Sequence, residues 1–183
     1  MVQDMTEGKP LKMILSFSIP LLIGNLFQQL YNMADSVIVG RMVGMNALAA
    51  LGATGAIFFL IIGSVMGLTT GFSIITAQRF GAGDEEGVRR SLAMSILLCI
   101  FFTVLLTAIS VLTARPLLSL MNTPADIFED AWLYIVIIYA GLGASMYYNL
   151  VANVLRALGD GKTPLYFLIF SSILNVVLDI YLI

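Results

Sequence analysis

The sequence predicts an all-α fold, a polytopic bundle of transmembrane helices. Of its 183 residues, 60% are hydrophobic and only 11% are charged, whereas soluble domains carry about 25% charged residues. Apolar segments as long as the ~20 residues that a membrane helix needs recur along the chain. Together these observations favour an integral membrane protein over a soluble domain.

Five membrane spans are predicted, because turn or charge signals interrupt the apolar segments. The spans cover roughly residues 11–43, 47–78, 88–114, 127–155 and 163–183. Pro20 removes a backbone donor from the first span, so we expect a bend and a hinge there. The second span carries Gly63, Gly67 and Gly71 at intervals of four residues, a spacing that predicts close packing against another helix.

Basic residues predict the orientation of these spans. Seven Lys or Arg residues flank one side of the predicted membrane, and only Arg41 and Arg115 flank the other. The positive-inside rule then places the N-terminus in the cytoplasm. Trp132 and Tyr134 fall where an outer aromatic belt is expected. The first apolar segment is too long for a signal peptide and lacks a basic region before it, so we expect a retained first span.

Several functional classes are disfavoured by what the sequence lacks. It contains no His and a single Cys, Cys99, which excludes an internal disulfide and a cysteine zinc cluster. The net charge of −2 comes with no basic cluster, so nucleic acid is not expected as a partner. No cofactor is expected either. The chain ends at Ile183 inside an apolar run, and we expect it to be the front part of a longer protein.

Two acidic residues lie inside apolar spans. Of the eleven Asp and Glu residues, nine lie in the N-terminal tail, in loops or in the first residues of a span, and only Asp35 and Asp179 follow a long apolar run. A carboxylate in hydrocarbon costs roughly 2.5–3.5 kcal/mol on insertion scales. Each follows a proline, Pro20 or Pro164, by fifteen residues. Spans 1 and 5 run in the same direction, so both acids are expected at one depth in the outer half of the membrane. Asn175 precedes Asp179 by one helical turn and shares its face.

Such a pair could couple an ion to a conformational change. Carboxylate and amide oxygens are hard ligands that suit Na⁺ by the logic that applies to Mg²⁺ and Ca²⁺. Two neighbouring buried carboxylates would also share a proton and titrate together. The alternative is that the acids only hydrogen-bond to neighbouring helices and fix their packing.

Three stretches resemble the multidrug and toxic compound extrusion (MATE) family. They are residues 17–22 (FSIPLL) continuing into 32–35 (NMAD) and 39–41 (VGR), residues 77–84 (AQRFGAGD), and residues 155–164 (LRALGDGKTP). They occur in the order and spacing of the family, and the resemblance that they mark extends over nearly the whole chain.

The resemblance implies a protein of about twelve helices in two six-helix lobes. Residues 1–183 would be the first five helices of the N-terminal lobe, and the C-terminal half of the same protein would be their partner. It also implies that cationic or amphipathic drugs are exported across the cytoplasmic membrane, driven by entry of Na⁺ or H⁺. Asp35, Asn175 and Asp179 match a cation site of the family. The residues assigned to the drug cavity are Gln28, Tyr31, Asn32, Asn149 and Asn153.

Three other functions compete with this prediction. A related flippase for lipid-linked oligosaccharides would need cationic residues for a pyrophosphate, and every Arg or Lys lies in a loop or near the end of a predicted span, none deep in the membrane. An intramembrane aspartyl protease would use two acids as a dyad, but here Asp179 lacks the Gly-x-Gly that precedes such an acid. A membrane scaffold without transport activity is the third. We therefore predict a transporter and not an enzyme.

Overall fold

The computed structural model describes residues 10–38, 40–41 and 44–182. Within these residues every regular element is an α helix, and none is a β strand. The predicted ends of spans 1 and 5, at residues 43 and 183, and the N-terminal residues 1–9 lie outside this description. The helices are α1 (Pro10–Ile38), α2 (Met45–Gly81), α3 (Glu85–Leu120), α4 (Phe128–Ala140), α5 (Leu142–Ala157) and α6 (Lys162–Leu182).

The length and hydropathy of these helices fit a membrane protein. Within the described residues, α2 and α3 are each long and apolar enough to cross a membrane. Helices α4 and α5 pass the same test as a pair bent by 46°. A large share of the big apolar side chains points outward, for example Leu112 and Phe59 at 77% and 79% exposure. A soluble protein rarely exposes so much contiguous apolar surface, whereas lipid can cover it.

The fourth predicted span differs from expectation because it consists of two helices. Helix α4 ends at Ala140, and α5 begins at Leu142 after the single residue Gly141. The Thr107 hydroxyl of α3 donates to the Tyr139 carbonyl at 3.5 Å, next to the break. Side chains and glycines let membrane helices break inside the bilayer when the freed backbone groups find partners. No proline signals this break, so the sequence analysis missed it.

The third helix also differs from the prediction. The Arg-Pro pair at residues 115–116 was expected in a loop, but α3 continues through Pro116 to Leu120. Proline is tolerated in membrane helices more readily than in soluble ones. Arg115 therefore projects from the last turns of a helix. Its guanidinium lies 4.3 Å from the centre of the Trp132 ring, and its Nη2 donates to Glu129 Oε2 at 2.9 Å.

Helices α2 to α5 enclose the core. Its largest fully buried side chains are Tyr139, Leu118, Ile135, Leu142, Met146 and Val65. Several buried hydroxyls in the bundle bond to carbonyls one turn earlier, as Thr54 does to Ala50 and Thr69 does to Val65. These bonds satisfy polar groups that lipid and apolar neighbours cannot. Helix α1 packs mainly against α6, which also contacts α5.

The glycines of α2 correct one prediction. Gly63, Gly67 and Gly71 were expected to mediate close helix packing. A Cβ atom built on any of them meets nothing within 4 Å, so no described residue packs closely against these glycines. Close packing between helices occurs instead at Gly24, where an added Cβ would lie 3.5 Å from Leu165 of α6.

The two loops at the end of the molecule with more basic residues use the same capping device. Asp84 begins α3, and its Oδ1 accepts the Gly87 amide at 2.8 Å. Asp160 begins α6 and accepts the Thr163 amide at 3.0 Å and the Thr163 hydroxyl at 2.7 Å. These hydrogen bonds hold the pKa of both carboxyls below the ordinary value. Gly83 and Gly159, with φ of 70° and 86°, make the turns that precede them.

Candidate functional site

The polar segment of α1 forms the centre of the candidate site. Asp35 and Tyr31 are half-buried, whereas Gln28 and Asn32 are exposed on the same helix. The Asn32 amide donates to the Gln29 side chain at 3.4 Å. The helix runs without interruption through Pro20. The predicted cavity residues of α1 therefore lie within two turns of Asp35 along the helix, with Gln28 and Asn32 exposed and Tyr31 half-buried.

The packing of α6 against α1 determines which residues of the two helices lie at the same height along the bundle. Gly24 of α1 faces Leu165 and Leu168 of α6, at 3.5 and 3.6 Å from an added Cβ. With α4 and α5 counted as one span, α1 and α6 run in the same direction. Eleven residues further along each helix, about 16 Å at 1.5 Å per residue, Asp35 is level with residues 176–179.

Asn175 of α6 supplies an oxygen without a hydrogen bond. The residue is half-buried, and its Oδ1 atom is buried with no hydrogen-bond partner among the described residues. A buried carbonyl oxygen of this kind costs free energy unless something binds it. Asp179 lies in the same helix, but its side chain is outside the described part of the chain. The pairing of Asp35 with Asp179 therefore stays a prediction.

Tyr134 of α4 is a further polar residue near this site that was not expected there. It was assigned to an outer aromatic belt, but it is half-buried in α4. Asp35 and Tyr31 are close enough to interact electrostatically with its hydroxyl. The sequence did offer one sign of this proximity. Tyr134 lies at the start of the fourth span, at the outer end of the membrane, where Asp35 was also expected.

The two asparagines of α5 lie elsewhere, along the bundle core. The Asn149 amide donates to the Ser145 carbonyl at 2.8 Å. Asn153 donates to the hydroxyls of Thr69 and Thr70 on α2, at 3.2 and 3.3 Å, and accepts from Arg156 at 3.1 Å. None of these bonds joins them to the polar segment of α1.

The donor set near Asp35 fits a small hard cation better than a transition metal. Among the residues described, no group of three or more His, Cys, Asp or Glu could hold a metal ion. The predicted set instead combines Asp35, Asn175 and Asp179, all oxygen donors. Oxygen ligands suit Na⁺ or a shared proton.

Comparisons with known proteins agree with this architecture. The MatE family model matches residues 20–181. The probable multidrug resistance protein YpnP of Bacillus subtilis is 32% identical over 96% of the chain, and the probable multidrug resistance protein NorM of Thermotoga maritima is 28% identical over 92%. The chain spans only 39% and 36% of their lengths.

A solved structure shares the fold as well. A MOP superfamily transporter from Pyrococcus furiosus superposes with a TM-score of 0.88 and 32% identity, over 96% of this chain and 38% of the other. The family consists of transporters, which confirms the prediction that the chain is not an enzyme. From the family match and this shared fold, we conclude that the chain belongs to the MATE family of multi-pass membrane transporters.

Proposed function

We propose that the protein containing this chain is a cation-coupled exporter of cationic or amphipathic drugs. The half-buried Asp35 of α1, beside an α6 that carries the unpartnered Asn175 oxygen, is the observation that carries this proposal. Relatives named as probable multidrug resistance proteins support the substrate class. The C-terminal half of the protein would complete the cavity, and the cytoplasmic membrane would be its location.

The coupling site would comprise Asp35, Asn175 and Asp179. A cation bound there would neutralise carboxylates that are costly to keep charged inside a membrane. Entry of Na⁺ or of a proton would therefore change the charge between α1 and α6. Tyr134, close to Asp35, would be a second polar group at the same place.

Drug binding would involve the exposed polar residues of α1. Gln28 and Asn32 are exposed and follow Pro20 on the same helix. Tyr31 lies between Gln28 and Asn32 in the chain, one helical turn before Asp35, and would link the drug to the ion. Asn149 and Asn153 stay proposed cavity residues on α5, although the hydrogen bonds they make lie within the bundle.

Alternating access would follow from the difference in cation affinity between two states. A ligand shifts a conformational equilibrium only by its differential affinity for the two states. Pro20 lacks the amide that would tie it to the preceding turn. Rotation of α1 at this hinge would move Asp35 relative to α6 and expose Gln28 to one side of the membrane or the other.

The first experiment is drug efflux by the full-length protein with Asp35→Asn. The amide keeps the size of the side chain and loses its charge, so we expect efflux to fall to the level of cells without the transporter. Na⁺ and pH are varied separately, so that the coupling ion is identified in the wild-type protein. Amount and membrane insertion are measured by immunoblotting of membrane fractions and are expected to stay normal.

A matched control is Asp126→Asn, which removes an exposed carboxylate from the loop before α4. It should leave efflux and its ion dependence unchanged. Asp179→Asn should abolish or shift the dependence on Na⁺ or pH. Normal ion-coupled efflux by Asp35→Asn would remove this residue from the mechanism.

A flippase for lipid-linked oligosaccharides is the second candidate function, because the structure contains a half-buried arginine that could bind a pyrophosphate. No cationic residue was expected deep in the membrane, but Arg156 lies in the last turn of α5 and is half-buried. It sits at a helix end and away from the polar segment of α1, so the drug exporter remains favoured. Transport of a fluorescent lipid-linked oligosaccharide by reconstituted protein would distinguish the two.

A further inference from the structure

A half-buried arginine lies in the last turn of α5, where α5 packs against α2; this junction is called the α2–α5 groove. Nη1 of Arg156 donates to Asn153 Oδ1 at 3.1 Å. The Asn153 amide donates in turn to the hydroxyls of Thr69 and Thr70. Thr69 is fully buried, and its hydroxyl donates to the Val65 carbonyl at 2.8 Å. This chain of bonds holds the guanidinium group in a defined place on the helix pair.

The charge of Arg156 has no counter-charge in the part of the chain that the structure describes. Its Nε atom is buried and has no acceptor. Tyr148 is near enough to interact with it, but a phenol is neutral at physiological pH. Three acidic residues of the neighbouring loops bond elsewhere: Asp84 to Arg79, Glu86 to Arg90, and Asp160 to Thr163. Glu85 is exposed in the first turn of α3, and no ion pair joins it to Arg156 among the described residues. A partly buried cation without an anion is destabilising.

Capping of α5 does not account for this arginine. The last carbonyls of the helix, those of residues 154 to 156, accept the amides of Leu158, Gly159 and Asp160 at 2.8–3.0 Å. The loop backbone therefore already satisfies the groups that a C-terminal arginine could bond. Attraction to the helix dipole remains, but it supplies no acceptor for Nε.

The depth of Arg156 matches that of lipid phosphates. Trp132, contacted by the guanidinium of Arg115, marks the opposite end of the α4–α5 pair. With the 46° bend included, the path from Trp132 to Arg156 spans about 33 Å at 1.5 Å per residue. A hydrocarbon core is about 30 Å thick. Arg156 therefore lies at the level of the headgroups, where the planar guanidinium matches phosphate oxygens in pairs.

We propose that Arg156, held by Asn153 and Thr70, binds the phosphate of an anionic membrane phospholipid at the end of the α2–α5 groove. Basic pockets between membrane helices bind lipid headgroups in this way. The bound phosphate supplies the acceptors that Arg156 lacks and links α2 to α5. This site is separate from the polar segment of α1, so it stands independently of the proposed drug transport.

The test uses full-length protein reconstituted in nanodiscs of phosphatidylcholine, with and without phosphatidylglycerol. We expect phosphatidylglycerol to raise the melting temperature of the wild-type protein, and Arg156→Gln to lose most of that rise. Native mass spectrometry should detect one fewer retained phosphatidylglycerol molecule in the variant. A third sample, in phosphatidylcholine with soluble inorganic phosphate, separates the sources: an equal rise there would assign the site to free phosphate and overturn the lipid as its ligand.

Two further variants keep the proposal open to refutation if Arg156→Gln folds poorly. Arg156→Lys retains the charge but not the paired donors, so its rise should be intermediate. Arg90→Gln removes an exposed arginine at the same end of the molecule, 80% accessible at its side chain, and should respond like the wild type. An undiminished rise in Arg156→Lys, or equal losses in the Arg90 and Arg156 variants, would overturn a specific site.

Discussion

Asn175 allows a test that separates a binding role from a packing role. Its Oδ1 is buried without a hydrogen bond, and an unsatisfied group of this kind costs about 1–3 kcal/mol. Asn175→Ala should therefore leave the melting temperature unchanged or raise it, while it weakens Na⁺- or proton-dependent efflux. Both are measured on the full-length protein.

The control for that prediction is Asn149→Ala. The Asn149 amide donates to the Ser145 carbonyl at 2.8 Å, so its loss should lower stability by about 1 kcal/mol. A marked fall in melting temperature for Asn175→Ala, with efflux intact, would make Asn175 a packing residue.

Asp160 provides a prediction about pH. Hydrogen bonds donated by Thr163 hold the pKa of this carboxyl below its ordinary value of 3.8. The bond from the hydroxyl has the larger effect and the bond from the amide the smaller one. A lowered pKa in the folded state means that the stabilisation is complete above pH 3.8 and disappears as the pH falls through the folded-state pKa. Asp160→Ala should lower stability by about 1 kcal/mol at neutral pH, the usual value of a helix cap. The melting temperatures of variant and wild type should converge in acid.

The comparison for this cap is Asp126→Ala, which alters an exposed loop residue. Its melting temperature should follow the wild type from neutral pH to pH 3. If the difference for Asp160→Ala stayed constant across that range, an ionised cap would not be its origin.

The helices show how far sequence patterns reach. Hydrophobic length predicted α2 and α3 because an uninterrupted apolar run has few alternatives to a helix in lipid. The end of α3 was misplaced because Pro116 reads as a breaker, although membrane helices tolerate it. The break at Gly141 was missed because it depends on a partner from another helix, the Thr107 hydroxyl. Glycine spacing on α2 was misleading for the same reason: spacing does not reveal which face has a neighbour.

Gly143 is the glycine for which packing predicts a strong effect. It lies in the first turn of α5, where an added Cβ would be 3.4 Å from the Thr103 methyl of α3. Alanine should fit there with little change. Leucine would push α5 from α3, and overpacking of this kind costs about 1–3 kcal/mol. We expect Gly143→Leu to lower the melting temperature clearly and Gly143→Ala to stay near the wild type.

A glycine with open surroundings provides the matched control. Nothing lies within 4 Å of a Cβ at Gly52, so Gly52→Leu should not cause a similar loss. If the leucine variants of Gly143 and Gly52 were equally stable, the close approach of α3 and α5 would not be a packing constraint.

The sequence predicts which residues of the site are unusual, but it does not predict the contacts between distant helices that bring residues together. Asp35, Asn175 and Asp179 stand out in the sequence because polar groups are rare inside apolar runs. Tyr134 does not stand out, since an aromatic residue at a span end has an ordinary place in the interface. Its proximity to Asp35 depends on how α4 sits beside α1. Arg156 was assigned to a loop because charge usually marks a helix end, and only the folded groove reveals that it is half-buried.

The orientation of the whole chain is open to a direct labelling experiment. The positive-inside rule places the α2–α3 loop in the cytoplasm and the α3–α4 loop outside. Cys99 is 6% exposed and is replaced by Ala, so that single cysteines can be introduced at exposed positions, Glu85→Cys and Asp126→Cys. In intact cells, a membrane-impermeant maleimide should label Asp126→Cys and reach Glu85→Cys only after permeabilisation. The opposite pattern would reverse the orientation, and Asp35 would then open toward the cytoplasm.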